Sequence, residues 1–137
     1  MMSNKLPVAS SQFPVKSNKG YRDLIVWQKG YDLCLRIYEL TRDYPKEELY
    51  GLTSQTRRAA VSVPANIAEG QGRQGKQEFK QFLYIAQASL SELETHLLLG
   101  KDLRFISEEV FFEVDNLRKD VARLLTGLIR SLATGNR

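Results

Sequence analysis

Apolar residues recur every three or four positions along four stretches of this chain, the spacing of an amphipathic helix, and no run alternates strictly as a half-buried strand would. The first stretch predicts a helix over about 23–43. Leu24, Trp27, Tyr31, Leu35 and Tyr38 form one apolar stripe, and Ile25, Leu33, Ile37 and Leu40 widen it beyond what a single partner helix would cover. Tyr44-Pro45 ends it, because the residue before a proline is pushed out of the α region. Pro45 is expected to open the second helix, with Glu47 and Glu48 in its first turn. That helix passes Leu49, Leu52, Thr56, Ala59, Ala60, Val63 and Ile67 and stops near Gly70. Pro64 in its interior is expected to kink it, and the small residues Ala59, Ala60, Ser62 and Ala65 point to close approach by another helix.

Gly70-Gln71-Gly72-Arg73-Gln74-Gly75 reads as an interhelical turn. The third helix, about 76–101, carries Phe79, Leu83, Ala86, Leu90, Leu93 and Leu97. Ser107 has the character of an N-cap for the fourth, with Glu108 and Glu109 in the first turn. Its stripe is Val110, Val114, Leu117, Val121, Leu124, Leu128 and Leu132. Long helices with short connections predict an all-α fold, an antiparallel up-down four-helix bundle over residues 21–134. Residues 1–20, a mixture of Ser, Asn, Pro, Lys and Gly, are expected to form a flexible tail.

Length and composition fit that picture: 137 residues suffice for one hydrophobic core, and 42% hydrophobic with 26% charged residues is ordinary for a globular domain. No run reaches the ~20 apolar residues of a membrane span, and the N-terminus has no signal-peptide core, so no membrane association is expected. One cysteine, Cys34, excludes an internal disulfide and gives a cytoplasmic setting as the expectation. The net charge of +4 suggests nucleic acid less strongly than it first does. Lys5, Lys16 and Lys19 sit among the first 20 positions with no acidic residue, which leaves the body nearly neutral.

Candidate chemistry is sparse. His96 is the only histidine, so neither a di-iron bundle nor a zinc site can be assembled, and no metal, cofactor or catalytic residue is assigned. His96 reads as a partly buried structural histidine, and Cys34 as a small hydrophobe. The glycines at 70, 72 and 75 match a bare dinucleotide pattern, but they follow a helix and not a strand, so they are assigned to the turn. The unusual feature is a polar stripe on the second helix: Gln55, Arg58, Ser62, Asn66 and Glu69 fall within roughly 80° of one another at 3.6 residues per turn. It is either a structural hydrogen-bond network or a ligand or enzymatic site. Arg57, Arg73, Lys76 and Lys80 are candidate phosphate contacts for RNA or DNA, with Glu69 and Glu78 diluting them.

Several of these segments carry a resemblance. Tyr21-Arg22-Asp23-Leu24-Ile25-Val26-Trp27-Gln28, Tyr44-Pro45 with Glu48-x-Tyr50-Gly51-Leu52, Phe79-x-x-Phe82-Leu83 and Ser89-Leu90-x-Glu92-Leu93-Glu94-Thr95 contribute to it. The most specific element is Ser62-x-Pro64-x-Asn66-Ile67-x-Glu69-Gly70, inside the longer run from Gln55. Across about residues 21–132 the chain resembles the proteins encoded within intervening sequences of large-subunit (23S) ribosomal RNA genes, a bacterial family that also includes the accessory variability determinant of diversity-generating retroelements. The resemblance implies an up-down bundle assembled as a ring-shaped homopentamer without catalytic activity. It also implies, for the retroelement branch, a strongly basic surface that binds nucleic acid and a reverse transcriptase. The nearly neutral body of this chain departs from that branch. The expectation is therefore a non-enzymatic, homo-oligomeric interaction or scaffold protein. Its surplus apolar positions Ile25, Ile37, Leu40, Phe111 and Phe112 would serve subunit packing.

Overall fold

The computed structural model describes residues 20–134; the expected tail lies outside them apart from Gly20. Four helices follow in order: α1 (Ile25–Thr41), α2 (Leu52–Gln71), α3 (Lys76–Asp102) and α4 (Glu108–Thr134). Each helix packs on its neighbours in the chain, α1 closes against α4, and the diagonal pairs do not meet. That is the square cross-section of an up-down four-helix bundle, as the hydrophobic spacing predicts.

The interior is built from one seam per helix. On α1 the seam is Val26, Gly30, Leu33, Ile37 and Leu40. The stripe expected there, Leu24, Trp27, Tyr31, Leu35 and Tyr38, instead faces outward or lies at the margin, with only Trp27 fully covered. The surplus positions divide in the same way: Ile37, Leu40 and Phe111 belong to the protein's own core, whereas Ile25 and Phe112 are 55% and 59% exposed. Only those last two remain available for subunit packing. The reason is geometric, since α1 is apolar around most of its circumference and spacing alone does not say which side turns inward.

The start of α2 differs from expectation. Pro45 heads a separate 3-10 turn, Lys46–Glu48, and the α-helix begins only at Leu52, after Gly51. Glu48 still serves the helix, because its carboxylate accepts the Leu52 N–H at 3.0 Å and satisfies one of the free first-turn donors. Ahead of that turn, Tyr44 is buried against Phe105, with ring centroids 5.2 Å apart, and its hydroxyl abuts Gly100. A side chain at position 100 would collide with that ring.

The α2–α3 contact is the most extensive in the bundle. Ala59 and Ala60 are completely buried, in keeping with the close approach that small residues allow, although Ala65 faces out. Gly70 belongs to the last turn of α2 and not to the loop. A Cβ there would lie 2.8 Å from the Phe82 Cβ and 3.1 Å from the Phe79 carbonyl, so only glycine lets α3 come this near. Pro64 is accommodated within one continuous helix, at the loss of the hydrogen bond that position 64 would have donated.

The α3–α4 connection is tight. Arg104 takes a left-handed conformation (φ 68°), and the N–H of Phe105 returns to the Gly100 carbonyl at 2.8 Å, closing the end of α3. The Ser107 hydroxyl then accepts the Val110 N–H at 3.1 Å, the cap that the sequence predicts for α4. The core side of α4 is Phe111, Val114, Val121, Leu125 and Ile129, while Val110, Leu117, Leu124, Leu128 and Leu132 pack at its edges.

Candidate functional site

Two features of the surface are candidates, the polar stripe of α2 and an apolar face beside it. The stripe separates into three groups. Near the start of α2, Arg58 Nη2 donates to Gln55 Oε1 at 2.7 Å and to Glu92 Oε2 of α3 at 2.8 Å. At mid-helix, Asn66 Nδ2 donates to the Ser62 carbonyl and hydroxyl, and the Ser89 hydroxyl of α3 donates to Ser62 Oγ at 2.7 Å. At the end, Arg73 donates to Glu69 at 2.7 Å. Arg58 and Glu69 are exposed, so this stripe edges the α2–α3 seam instead of lining a cavity.

His96 joins the first group from α3. Its ring is half-buried, Nε2 lies 3.9 Å from Glu92, and Nδ1 is buried without a hydrogen-bond partner. Burial pushes its pKa below the usual histidine value and the Arg58 charge adds to this, while Glu92 and the Gln55 carbonyl pull the other way. Burial outweighs these two, so the neutral ring is the form this environment favours.

The basic residues are not brought together as one cluster. Arg57 Nε donates to Thr41 Oγ1 at 2.8 Å and the guanidinium lies over the Tyr38 ring, holding α2 to α1. Arg73 is sixteen positions later, roughly 24 Å away at 1.5 Å per residue. There it pairs with Glu69 and stacks on Phe82. Lys76 and Lys80 open α3 close to Arg73, so three of the four share one end of the bundle.

The apolar face is a feature whose residues the sequence supplied but whose exposure it did not. Between α1 and α2 runs a shallow groove of about 540 Å³. One wall is aromatic: Tyr21 packs edge-on to Trp27, Trp27 stacks on Tyr31, both at 5.1 Å, and Tyr38 continues the row. The other wall is low and built of Val61, Pro64, Ala65 and Ala68. No charged side chain lines it. Cys34 lies in this groove, and burial pushes its thiol up to about 11, away from the thiolate that nucleophilic or metal chemistry requires.

A further polar pair escaped the sequence reading. On α4, Asp115 and Arg118 are both buried and bonded at 2.6 Å, with Glu94 of α3 at 3.4 Å from the same guanidinium. Their spacing of three looks like an ordinary surface ion pair, and nothing in the sequence distinguishes it from Arg123–Asp120, which is exposed. Among the described residues no group of three His, Cys, Asp or Glu side chains could hold a metal ion, and no helix is long and apolar enough to cross a membrane.

Comparison with known proteins agrees with this architecture. No curated protein matches the chain. A solved structure from Bacteroides thetaiotaomicron, described as a protein with unknown function from the S23 ribosomal protein family, superposes with a TM-score of 0.73 at 26% identity. That match covers 77% of this chain and 96% of the other. The family model described as 23S rRNA-intervening sequence protein matches residues 22–127, nearly the whole bundle. By that match, the chain belongs to the 23S rRNA-intervening sequence protein family.

Proposed function

We propose that this protein is a non-enzymatic interaction or scaffold protein that works as a homo-oligomer, with five copies as the number the family resemblance implies. The observation that carries this reading is the uncharged, aromatic face between α1 and α2. Contiguous apolar surface is uncommon on monomers, and covering it gains roughly 25 cal/mol per Å². Tyr and Trp are the residue types that subunit interfaces enrich, because they bury much area with few rotatable bonds.

The polar groups support the non-enzymatic part. Stripe residues are hydrogen-bonded to one another, to α3 or, for Glu69, to Arg73, and the Cys34 thiol is shifted away from reactivity. Arg57 and Arg73 are engaged within the chain, which favours a protein surface over a nucleic acid as the partner. A cytoplasmic setting suits the single cysteine.

Light scattering on the purified chain tests the reading. The expected result is one discrete assembly of several protomers at micromolar concentration; a monomer across that range would overturn it.

A further inference from the structure

We infer that the groove between α3 and α4 binds a short, uncharged stretch of extended peptide from a partner protein, anchored on the guanidinium of Arg118. The inference rests on the reading of this chain as an interaction protein and gives it a partner. It does not depend on how many copies assemble.

The observation behind it is a buried cation whose internal bonds do not use it up. Arg118 is only 7% exposed, and an arginine so covered normally spends its donors on acceptors around it. Its Nε donates to Asp115 at 2.6 Å, and Nη2 lies 3.4 Å from Glu94. Nη1, with two N–H groups, has no partner among the described residues. Arg118 lines a groove of about 450 Å³ along the α3–α4 seam, and Nη1 is not sealed in the interior. The complementary group stands at the other end of that groove. Gln87 Nε2 donates across it to Thr126 at 3.2 Å, which leaves Gln87 Oε1 as an acceptor. Glu94, which meets Arg118, is seven positions beyond Gln87 on α3, roughly 10 Å at 1.5 Å per residue. Ala88 and Ala122 wall the space between.

These groups select the ligand. Lys119, 3.7 Å from Asp115, balances the cluster at two charges of each sign, so a ligand gains little from carrying a charge. An anion would also meet the Asp115 and Glu94 carboxylates beside its arginine, which disfavours phosphate. What fits is a neutral molecule that accepts at Arg118 and donates at Gln87. An extended peptide does both, because carbonyls and N–H groups alternate along it. Three residues, at about 3.3 Å each, span the distance between the two ends. The small side chains at 88 and 122 let a main chain lie close to both helices. Every exposed position of α3 from 81 to 99 is uncharged, so the adjoining surface suits neutral flanking residues. Tyr84, 52% exposed at the Gln87 end, offers its ring to an apolar side chain of the peptide.

Titrating the full chain with acetyl-trialanine amide, an uncharged blocked tripeptide, tests this. The readout is the side-chain N–H signals of Arg118 and Gln87 in proton–nitrogen NMR spectra. Both are expected to shift together and to saturate at roughly millimolar peptide, the weak affinity of so small a ligand. Ala88→Phe fills the slot from an exposed position and should abolish the shifts. Asn116→Phe, exposed on α4 and outside the groove, should leave them unchanged, and circular dichroism checks that both variants keep their helix content. Inorganic phosphate and maltose are the competing probes. If phosphate moves these signals as much as the peptide does, the groove is an anion site; if maltose does, it is a saccharide site. Either result overturns the inference. So does the absence of any shift, or a shift that survives Ala88→Phe, and Arg118 is then a structural residue only. None of these outcomes touches self-association, which light scattering reads separately.

Discussion

Replacing Gly70 and Gly127 by alanine, one at a time, should change stability in opposite directions. Both glycines lie inside helices, where alanine is favoured by about 1 kcal/mol. At Gly127 nothing lies within 4 Å of the added methyl, so that gain should appear in full. At Gly70 the methyl would sit 2.8 Å from the Phe82 Cβ, 2.9 Å from a Phe79 ring carbon and 3.1 Å from the Phe79 carbonyl. The ring can turn away, but the carbonyl and the Cβ are fixed to the α3 backbone. Restoring ordinary contact near 3.5–4 Å means parting the helices by roughly 0.5–1 Å, and overpacking of this kind costs about 2 kcal/mol. The net expectation is a loss of about 1 kcal/mol at Gly70 and a gain of about 1 kcal/mol at Gly127. At roughly 4 °C per kcal/mol for a domain of this size, the two melting temperatures should differ by about 8 °C. Thermal unfolding followed by circular dichroism, with all variants at one protomer concentration, measures this. If both variants melt above the wild type, the α2–α3 contact is looser than described and the reasoning fails.

The remaining predictions concern buried polar groups. Arg118→Ala strands the Asp115 carboxylate in the α3–α4 seam and should cost about 3 kcal/mol, moderated by Lys119 at 3.7 Å; Asp115→Leu with Arg118→Met should recover most of it, read as the urea midpoint. A double variant no more stable than the single one would contradict this account. His96 has its folded pKa lowered by burial, so folding favours the neutral ring: its contribution is complete above the unfolded pKa near 6.5 and is lost as pH falls below it. The urea midpoint of the wild type should therefore drop more steeply from pH 7.5 to 5.5 than that of His96→Gln, and parallel slopes would argue against it.

Much of the bundle is legible in the sequence because each helix carries an apolar seam at spacings of three and four. On α3, Leu83, Ala86, Leu90, Leu93 and Leu97 form the most regular apolar series, and all are buried as the spacing predicts. Helix α1 is harder. Its aromatic stripe and its aliphatic seam have equally good periodicity, and the choice between them depends on volume: Leu33 and Ile37 fit the packed interior, whereas Tyr31 and Tyr38 keep their polar tips near water. The stripe from Gln55 to Glu69 is visible as a pattern, but its partners Ser89 and Glu92 come from another helix at a distance no local rule predicts. Arg57 illustrates the same limit, because proximity in number to a basic run says nothing of Thr41 and Tyr38 across the bundle.

That stripe has a consequence for how the two helices find their alignment. Leucine and alanine surfaces attract without direction, so α2 and α3 could slide past one another by a turn, about 5.4 Å, and bury nearly as much. The cross-links do not permit it: as α2 advances through Arg58, Ser62 and Gly70, its partners on α3 recede through Glu92, Ser89 and Phe82 in step. A one-turn shift would break the two hydrogen-bonded links and drive Phe82 out of the notch at Gly70 simultaneously. Exposed pairs such as Arg58–Glu92 add little strength. What they supply together is a key, selecting one alignment from several that the oily interior alone would accept.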